Sequence, residues 1–492
     1  MKTSIQLTPS QQRALQQMKA FVHSSDRCFI LTGYAGTGKT TLMHTLIQYL
    51  KEQDISYNLL SSTGRAAKIL SNYAGEEANT IHHLIYSYHG FNKDLSDTKE
   101  NVTVDEVGQL YLNFGLSSCD EEDMDANIYV IDEASMVSDT CKKMITQAQF
   151  GSGRLLKDLF DYDKRPDAKY IFVGDPCQLP PISESISPAL STAYLLNTFH
   201  YTAKKVMLTE IMRQSGESSI IRAADAIRKL WSNAPDTDDQ YPVKVWGKLP
   251  FSMYPDIRLL SSTEAMICKY VDTIEQHGYD ATTLICQSNK DCNNMAREVR
   301  SRLGFSGSVQ PHDLLLVTQN QMTTGLMNGD MVEVVSVNKT HERVMVDTPN
   351  HYRSELYFVE VTVKELFSQC IYTTLLLESL LNSTMPNLDA RQQTGLFLDF
   401  IMRMKQKGIT QKKDKKLFDK VMQTDPYLNA LRCSYGYAIT CHKAQGGEWN
   451  SVYIVPQRNI MLNPTKASYQ WIYTALTRAK KTAYFVRDFY IQ

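Results

Sequence analysis

An α/β fold built on two parallel-sheet regions is what this 492-residue sequence predicts. Three observations carry that reading. From the N-terminus to about residue 215, short apolar runs alternate with amphipathic helical stretches. The same alternation returns in two pieces, at about 216–310 and 430–492. Between them, 311–429 has another texture, with short strands and turn signals followed by helical segments.

Composition narrows the function classes. The chain is 43% hydrophobic and 21% charged, as expected of a globular protein of roughly three to four folding units. Its net charge of −1 gives no global basic excess, so any nucleic-acid binding must use a local groove. That disfavours a passive DNA-coating protein but suits a motor, which must release its track. Ten scattered cysteines without a CxxC pair read as reduced thiols of a cytosolic compartment. The N-terminal residues Met1 to Gln6 lack the apolar core of a signal peptide. The most apolar stretch, Leu366 to Leu381, is too short to span a bilayer and contains Glu378; it reads as a buried helix.

In the first region, compact β-branched or aromatic runs at Cys28–Thr32, Tyr57–Leu60, Ile128–Ile131 and Tyr170–Val173 are each followed by turn residues. An insertion at 86–126 contains the alternating run Gln109–Phe114, one arm of a hairpin, and then the acidic cluster Asp120–Asp123. In the second region the strands are Thr283–Cys286, Ser451–Val455 and Thr482–Val486. Residues 313–362 read as short strands with turns such as Asn328-Gly329-Asp330, which predicts a small β-barrel. The six lysines between Lys405 and Lys416 read as a solvated helix face, with a DNA-backbone contact as the sharper alternative.

Chemistry is written at three strand ends. Gly33-Tyr-Ala-Gly-Thr-Gly-Lys-Thr40 fits GxxxxGK[ST], directly after a strand and before a helix with apolar Leu42, Met43, Leu46, Ile47 and Leu50. Its glycines let backbone N–H groups face phosphate oxygens, with the helix N-terminus adding favourable charge. Lys39 is expected to pair with the β- and γ-phosphates of ATP and the Thr40 hydroxyl to bind Mg²⁺. Ile128-Tyr-Val-Ile-Asp-Glu133 ends in two carboxylates. Asp132 would anchor the Mg²⁺ and Glu133 would orient the attacking water. The strand Tyr170–Val173 leads into Gly174-Asp-Pro-Cys-Gln178, from which Gln178 can reach a γ-phosphate or its attacking water.

Taken in order, these residues resemble superfamily 1 helicases of the RecD and Dda type over nearly the whole chain. Leu7-Thr-Pro-Ser-Gln11 is similar to the motif in which a glutamine reads adenine. Ser61-Ser-Thr-Gly-Arg-Ala-Ala67 resembles a strand-edge motif that grips DNA, although that motif usually begins Ala-Pro-Thr and here Ser61 and Ser62 depart from it. Thr80-Ile-His-His83 resembles the next DNA-contact motif, and Leu208-Thr-Glu-Ile-Met-Arg-Gln214 the one carrying an arginine finger, Arg213. Thr440-Cys-His-Lys-Ala-Gln-Gly-Gly-Glu448 resembles the late motif joining DNA contact to ATP. Tyr473-Thr-Ala-Leu-Thr-Arg-Ala479 resembles the final motif, with Arg478 as a second finger.

The resemblance implies two RecA-like P-loop domains, 1–215 and 216–310 plus 430–492, with a wedge hairpin inserted at 86–126 and a small β-barrel plus helical segment at 311–429. It implies catalytic roles for Lys39, Asp132, Glu133, Gln178, Arg213 and Arg478. Nucleotide contacts would come from Gln11, Gly33, Ala35, Gly36, Thr37, Gly38, Lys39, Thr40, Thr41 and Glu448. DNA contacts would come from Thr63, His82, Asn289, Thr440 and His442, with Tyr111 or Phe114 as candidates for base stacking or for strand core. The implied activity is ATP-driven 5′ to 3′ translocation on single-stranded DNA and unwinding at duplex junctions, by a cytoplasmic monomer, or one in the host cytoplasm if phage-encoded. Replication or recombination proteins would be its partners, with no membrane. The alternative is a P-loop ATPase that remodels a protein or RNA complex, but such enzymes usually borrow their finger from a neighbour in a ring. The chain begins close to Leu7–Gln11 and ends soon after Arg478, which predicts no appended nuclease or targeting domain.

Overall fold

The computed structural model describes residues 7–93, 109–117, 126–141, 148–210, 218–347, 353–383, 385 and 387–491. Along the first part of the chain run strands β1 (Cys28–Gly33), β2 (Tyr57–Ser61), β3 (Asn79–Thr80), β4 (Tyr86–Phe91), β5 (Leu112–Leu116), β6 (Ile128–Asp132), β7 (Ala148–Phe150), β8 (Lys169–Gly174) and β9 (Ala203–Leu208). Six of them form one parallel sheet in the order β3-β2-β6-β8-β1-β9. Every residue of β1 is buried, because both faces of the sheet are covered. Cys28 and Ile30 pack into one core with Tyr170 and Phe172, while Phe29 and Leu31 pack into another with Leu42, Met43 and Leu46 of the helix Lys39–Glu52. The order sets β1 beside β8 and β8 beside β6. Their carboxyl ends, which carry the three sequence motifs, therefore share one edge.

The later strands are β10 (Ile257–Leu260), β11 (Thr282–Cys286), β12 (Leu314–Val317), β13 (Met331–Asp347), β14 (Arg353–Glu365), β15 (Ile371–Leu377), β16 (Cys433–Tyr435), β17 (Ile439–Thr440), β18 (Trp449–Val455) and β19 (Ala479–Val486). A second parallel sheet has the order β10-β19-β18-β11-β17. An antiparallel sheet, β15-β14-β13-β12-β16, shares one apolar core with it. Its two edges meet, since Leu431, just before β16, donates to Leu375 and accepts from Leu377. Arg300 ties these sheets together: it reaches both Asp313 oxygens at 2.8 Å, and Tyr437 donates to the same carboxylate at 2.8 Å.

Three readings of the sequence need correction here. Leu366–Leu381 is not a helix: Ile371–Leu377 is strand β15, paired to β14. Its β-branched and aromatic residues Ile371, Tyr372, Thr373 and Thr374 favour the pleated surface over a helix. The short strands expected over 313–362 include two long ones, β13 of 17 residues and β14 of 13. The lysine run does not occupy one helix face. It crosses the break between the helices Ala390–Gln406 and Lys415–Thr424, where Gly408 at φ 75° ends the first.

The arm expected at Gln109–Phe114 forms strand only from Leu112. It pairs antiparallel with β4 and is joined by β7. Phe114 stacks on Phe150 at 4.7 Å and lies edge-on to Tyr88, so it is part of an aromatic core. This small sheet meets the helix Ala390–Gln406, with Phe91 against Phe397 at 5.0 Å and the Leu110 N–H on Thr394 Oγ1 at 3.0 Å. The acidic cluster at 120–123 lies outside the described residues.

Candidate active site

Gly36 and Gly38 both sit at φ 79°, in the left-handed region that bends the P-loop back over the start of its helix. Gly33 has no room for a side chain, since a Cβ would come within 2.5 Å of Thr37 Oγ1. Lys39 Nζ, at the base of this loop, donates to the Gly33 and Tyr34 carbonyls at 2.7 and 3.2 Å. Beside it, β6 delivers Asp132 and Glu133, the latter turned out of the strand at φ 49°. Burial first, and then the adjacent Glu133 carboxylate, push Asp132 up to about 7, while the Lys39 charge opposes both. Burial likewise raises Asp175, at the end of β8, against the opposing pull of Lys39.

The second sheet faces this edge with the amino ends of β18 and β19. Arg478, just before β19, is 5% exposed. It donates to the Thr474 and Gly447 carbonyls at 3.1 and 3.2 Å and to Thr477 Oγ1 at 3.2 Å. Among the described residues no carboxylate hydrogen-bonds to it, although its charge acts on nearby Asp175. Gln178 is equally buried, and its Oε1 has no hydrogen-bond partner among the described residues. Ala35, Gly36, Gly38, Lys39, Thr40, Thr41, Asp132, Glu133, Gln178, Glu448 and Arg478 all line one cleft of about 1000 Å³ between the sheets. Thr40, Asp132 and Glu133 offer it a hydroxyl and two carboxylates, an all-oxygen set that suits a hard divalent cation.

The cleft therefore joins a phosphate-binding loop to a buried arginine contributed by a second α/β unit. A family profile described as "AAA domain" matches residues 6–234, and one described as "UvrD-like helicase C-terminal domain" matches residues 435–486. Together the two profiles support a superfamily 1 helicase of the RecD type. The chain is 22% identical over 523 residues to the uncharacterized protein R530 of Acanthamoeba polyphaga mimivirus, covering 97% of this chain and 99% of that one. It is 23% identical over 467 residues to the ATP-dependent RecD2 DNA helicase of Deinococcus radiodurans, covering 92% of this chain and 46% of that protein. The chain thus spans about half the length of that relative. Among solved structures, it is similar to a Pif1 helicase from Bacteroides in complex with ADP-AlF3 and ssDNA, at 15% identity and a TM-score of 0.46, covering 99% of this chain and 94% of that one.

The remaining predicted residues fall elsewhere. Gln11 is buried in a capping box with Thr8, and its Nε2 donates to the Thr37 carbonyl at 3.1 Å. It braces the P-loop and is not among the cleft-lining residues. Thr63 caps its own helix, Gly64–Ala74, by accepting from the Ala66 N–H. The unusual Ser61 and Ser62 have a visible use: their hydroxyls donate to the Asp132 and Glu133 carbonyls at 3.4 and 2.9 Å, tying β2 to the acid pair. His82 packs among Tyr86 and Phe150. Asn289 and Thr440 line one small pocket with Lys443. His442 is lowered by burial, against a bond to the Pro180 backbone. Arg213 lies outside the described residues.

Several residues that the sequence reading did not single out bind the two halves together. Tyr473 joins the P-loop to Asp175, Thr474 Oγ1 accepts from the Leu179 N–H at 3.0 Å, and Gln445 Nε2 donates to the Leu179 carbonyl at 3.2 Å. Arg65 lies over the Trp449 ring at 4.4 Å, and Lys68 pairs with buried Asp330 at 2.6 Å. All of them lie inside a quoted motif or turn or directly beside one, which was the available signal.

Proposed function

We propose that this chain is an ATP-driven motor that moves 5′ to 3′ along single-stranded DNA and unwinds duplex at junctions. The observation that carries the reading is the single cleft lined by Lys39, Asp132 and Glu133 from one sheet and by Arg478 from the other. An arginine supplied within the same chain can reach ATP only when the two halves are closed, so hydrolysis and opening are linked. Two halves that grip DNA unequally in the open and closed states turn that cycle into steps. Thr63, His82, Asn289, Thr440 and His442 are the residues we assign to DNA. A second reading, remodelling of a protein or RNA complex by a ring of subunits, is disfavoured because Arg478 lies in its own chain's cleft. A monomer suffices for this chemistry, and replication or recombination proteins are the partners we expect. No helix among the described residues is long and apolar enough to cross a membrane, and we assign the protein to the cytoplasm, or to the host cytoplasm if phage-encoded.

In hydrolysis, Lys39 and the P-loop N–H groups hold the phosphates, Glu133 and Gln178 orient the attacking water, and Arg478 meets the charge that develops on the transferring group. Mg²⁺, held by Thr40 and Asp132, would supply charge neutralisation between the phosphates. Because Asp132 is raised to about 7, its carboxyl gains its charge only as the pH passes that value. The Mg²⁺ concentration that half-saturates hydrolysis is therefore expected to fall nearly tenfold per unit below about pH 6, about fivefold from pH 6 to 7, and then level off. Asp132→Asn should remove that slope. Without the cation the sign for stability is opposite. The folded chain holds the Asp132 proton more tightly, so this group costs stability as pH rises from about 4 to about 7.

Polarity is tested on duplexes carrying a single 5′ or 3′ tail. Unwinding from the 5′ tail alone is expected. Unwinding only from the 3′ tail would refute the direction while leaving the motor intact.

A further inference from the structure

Tyr473 is 1% exposed and sits on the helix Lys466–Leu476, just before Arg478. Its hydroxyl oxygen accepts the N–H of Ala35 in the P-loop at 2.8 Å and donates to Asp175 Oδ2 at 2.8 Å. The other Asp175 oxygen accepts the Cys177 N–H at 2.9 Å, which holds the carboxylate in place. One oxygen atom therefore links the P-loop, the loop carrying Gln178 and the helix that leads into Arg478. Two of those segments belong to the first sheet and one to the second. The same helix adds Thr474 and Gln470 to the loop after β8, at 3.0 and 3.2 Å. Burial keeps the Tyr473 hydroxyl protonated, so it donates at any working pH. Opening the cleft would break both bonds of that hydroxyl together and leave Asp175 with the Cys177 N–H as its remaining donor, which is costly.

We propose that Tyr473 is a positioning residue: its hydroxyl registers Arg478 against the P-loop, so that the finger is in place only when the two sheets are closed. The proposal rests on the motor reading above for the role of Arg478. Tyr473 acts through Arg478 and Asp175 and has no part in bond making itself. A hydrogen bond to a charged group in a buried site sets the expected scale. Tyr473→Phe should lower kcat for ATP hydrolysis on single-stranded DNA by about 10- to 100-fold, with KM for ATP changed by less than about threefold.

The test is hydrolysis by the full chain, with and without single-stranded DNA, for wild type, Tyr473→Phe, Arg478→Ala and the double variant. In the Arg478→Ala background, losing the hydroxyl should cost less than about twofold, because the group it positions is already gone. An equal loss in both backgrounds would make Tyr473 a merely structural residue and overturn the proposal. So would a Tyr473→Phe enzyme within about twofold of wild type. Should Tyr473→Phe fold poorly, Asp175→Asn tests the same bond from the other side, since it keeps an acceptor oxygen. It is expected to give a smaller loss in the wild-type background and none with Arg478→Ala, and equal losses in both would again overturn the proposal. Wild-type hydrolysis that ignored DNA would sink the motor reading instead, a result distinct from the Tyr473–Arg478 coupling read in the same assay.

Discussion

Lys39→Ala is expected to lower ATP hydrolysis by roughly 10³-fold or more, with single-stranded DNA affinity held within about threefold. Lys39 Nζ now caps the Gly33 and Tyr34 carbonyls at the base of the P-loop, and it lines the cleft. It is also the cation whose charge opposes the burial of both Asp132 and Asp175. Its removal takes away the positive charge for the β- and γ-phosphates, leaves buried Asp132 without a counter-charge and leaves Asp175 with Arg478 alone. The residues assigned to DNA, such as Asn289 and Thr440, line a different pocket, so binding of the track should survive. Phosphate release and fluorescence anisotropy of a labelled oligonucleotide separate the two effects. Loss of DNA binding in parallel with hydrolysis would mean that the substitution had damaged the fold.

Arg478→Ala should cost about 10³–10⁵ in kcat while changing ATP binding by less than about tenfold. Burying a guanidinium against carbonyls and a hydroxyl, with no carboxylate hydrogen-bonded to it among the described residues, is unfavourable unless an anion arrives. The transferring phosphoryl group is that anion. Arg478→Lys should recover only part of the rate, because an ammonium lacks the planar fork that meets two oxygens at once. If Arg478 merely capped the helix Lys466–Leu476 and the Gly447 carbonyl, its loss would lower the melting temperature and leave kcat within about tenfold. Measuring both quantities on one preparation decides between these roles.

Much of this site is legible in the sequence because phosphate chemistry dictates local spacing. Gly33–Thr40 must follow a strand and open a helix, and Asp132-Glu133 must end a neighbouring strand. The structure shows both. The joints between the halves are harder to read. Tyr473 and Asp175 are 298 residues apart, and nothing local to either predicts the other. The apolar run Leu366–Leu381 is misread as helix because a short apolar run lacks the periodicity to separate the two states. Thr373 and Thr374 were the available correction. The lysine run is misread as one helix face because charge outweighed a single glycine, Gly408, which ends the helix before most of those lysines. Ser61 and Ser62, departures from the family pattern, are explained only by the register that sets Ser61 opposite Asp132.

The most direct test of the motor reading is the rate of ATP hydrolysis by the full chain with and without saturating single-stranded DNA, with Lys39→Ala as the blank. Strong stimulation by DNA, absent in Lys39→Ala, is the predicted result. A wild-type rate unmoved by either DNA or RNA would contradict a nucleic-acid motor and point to a protein as the substrate of the closing cleft.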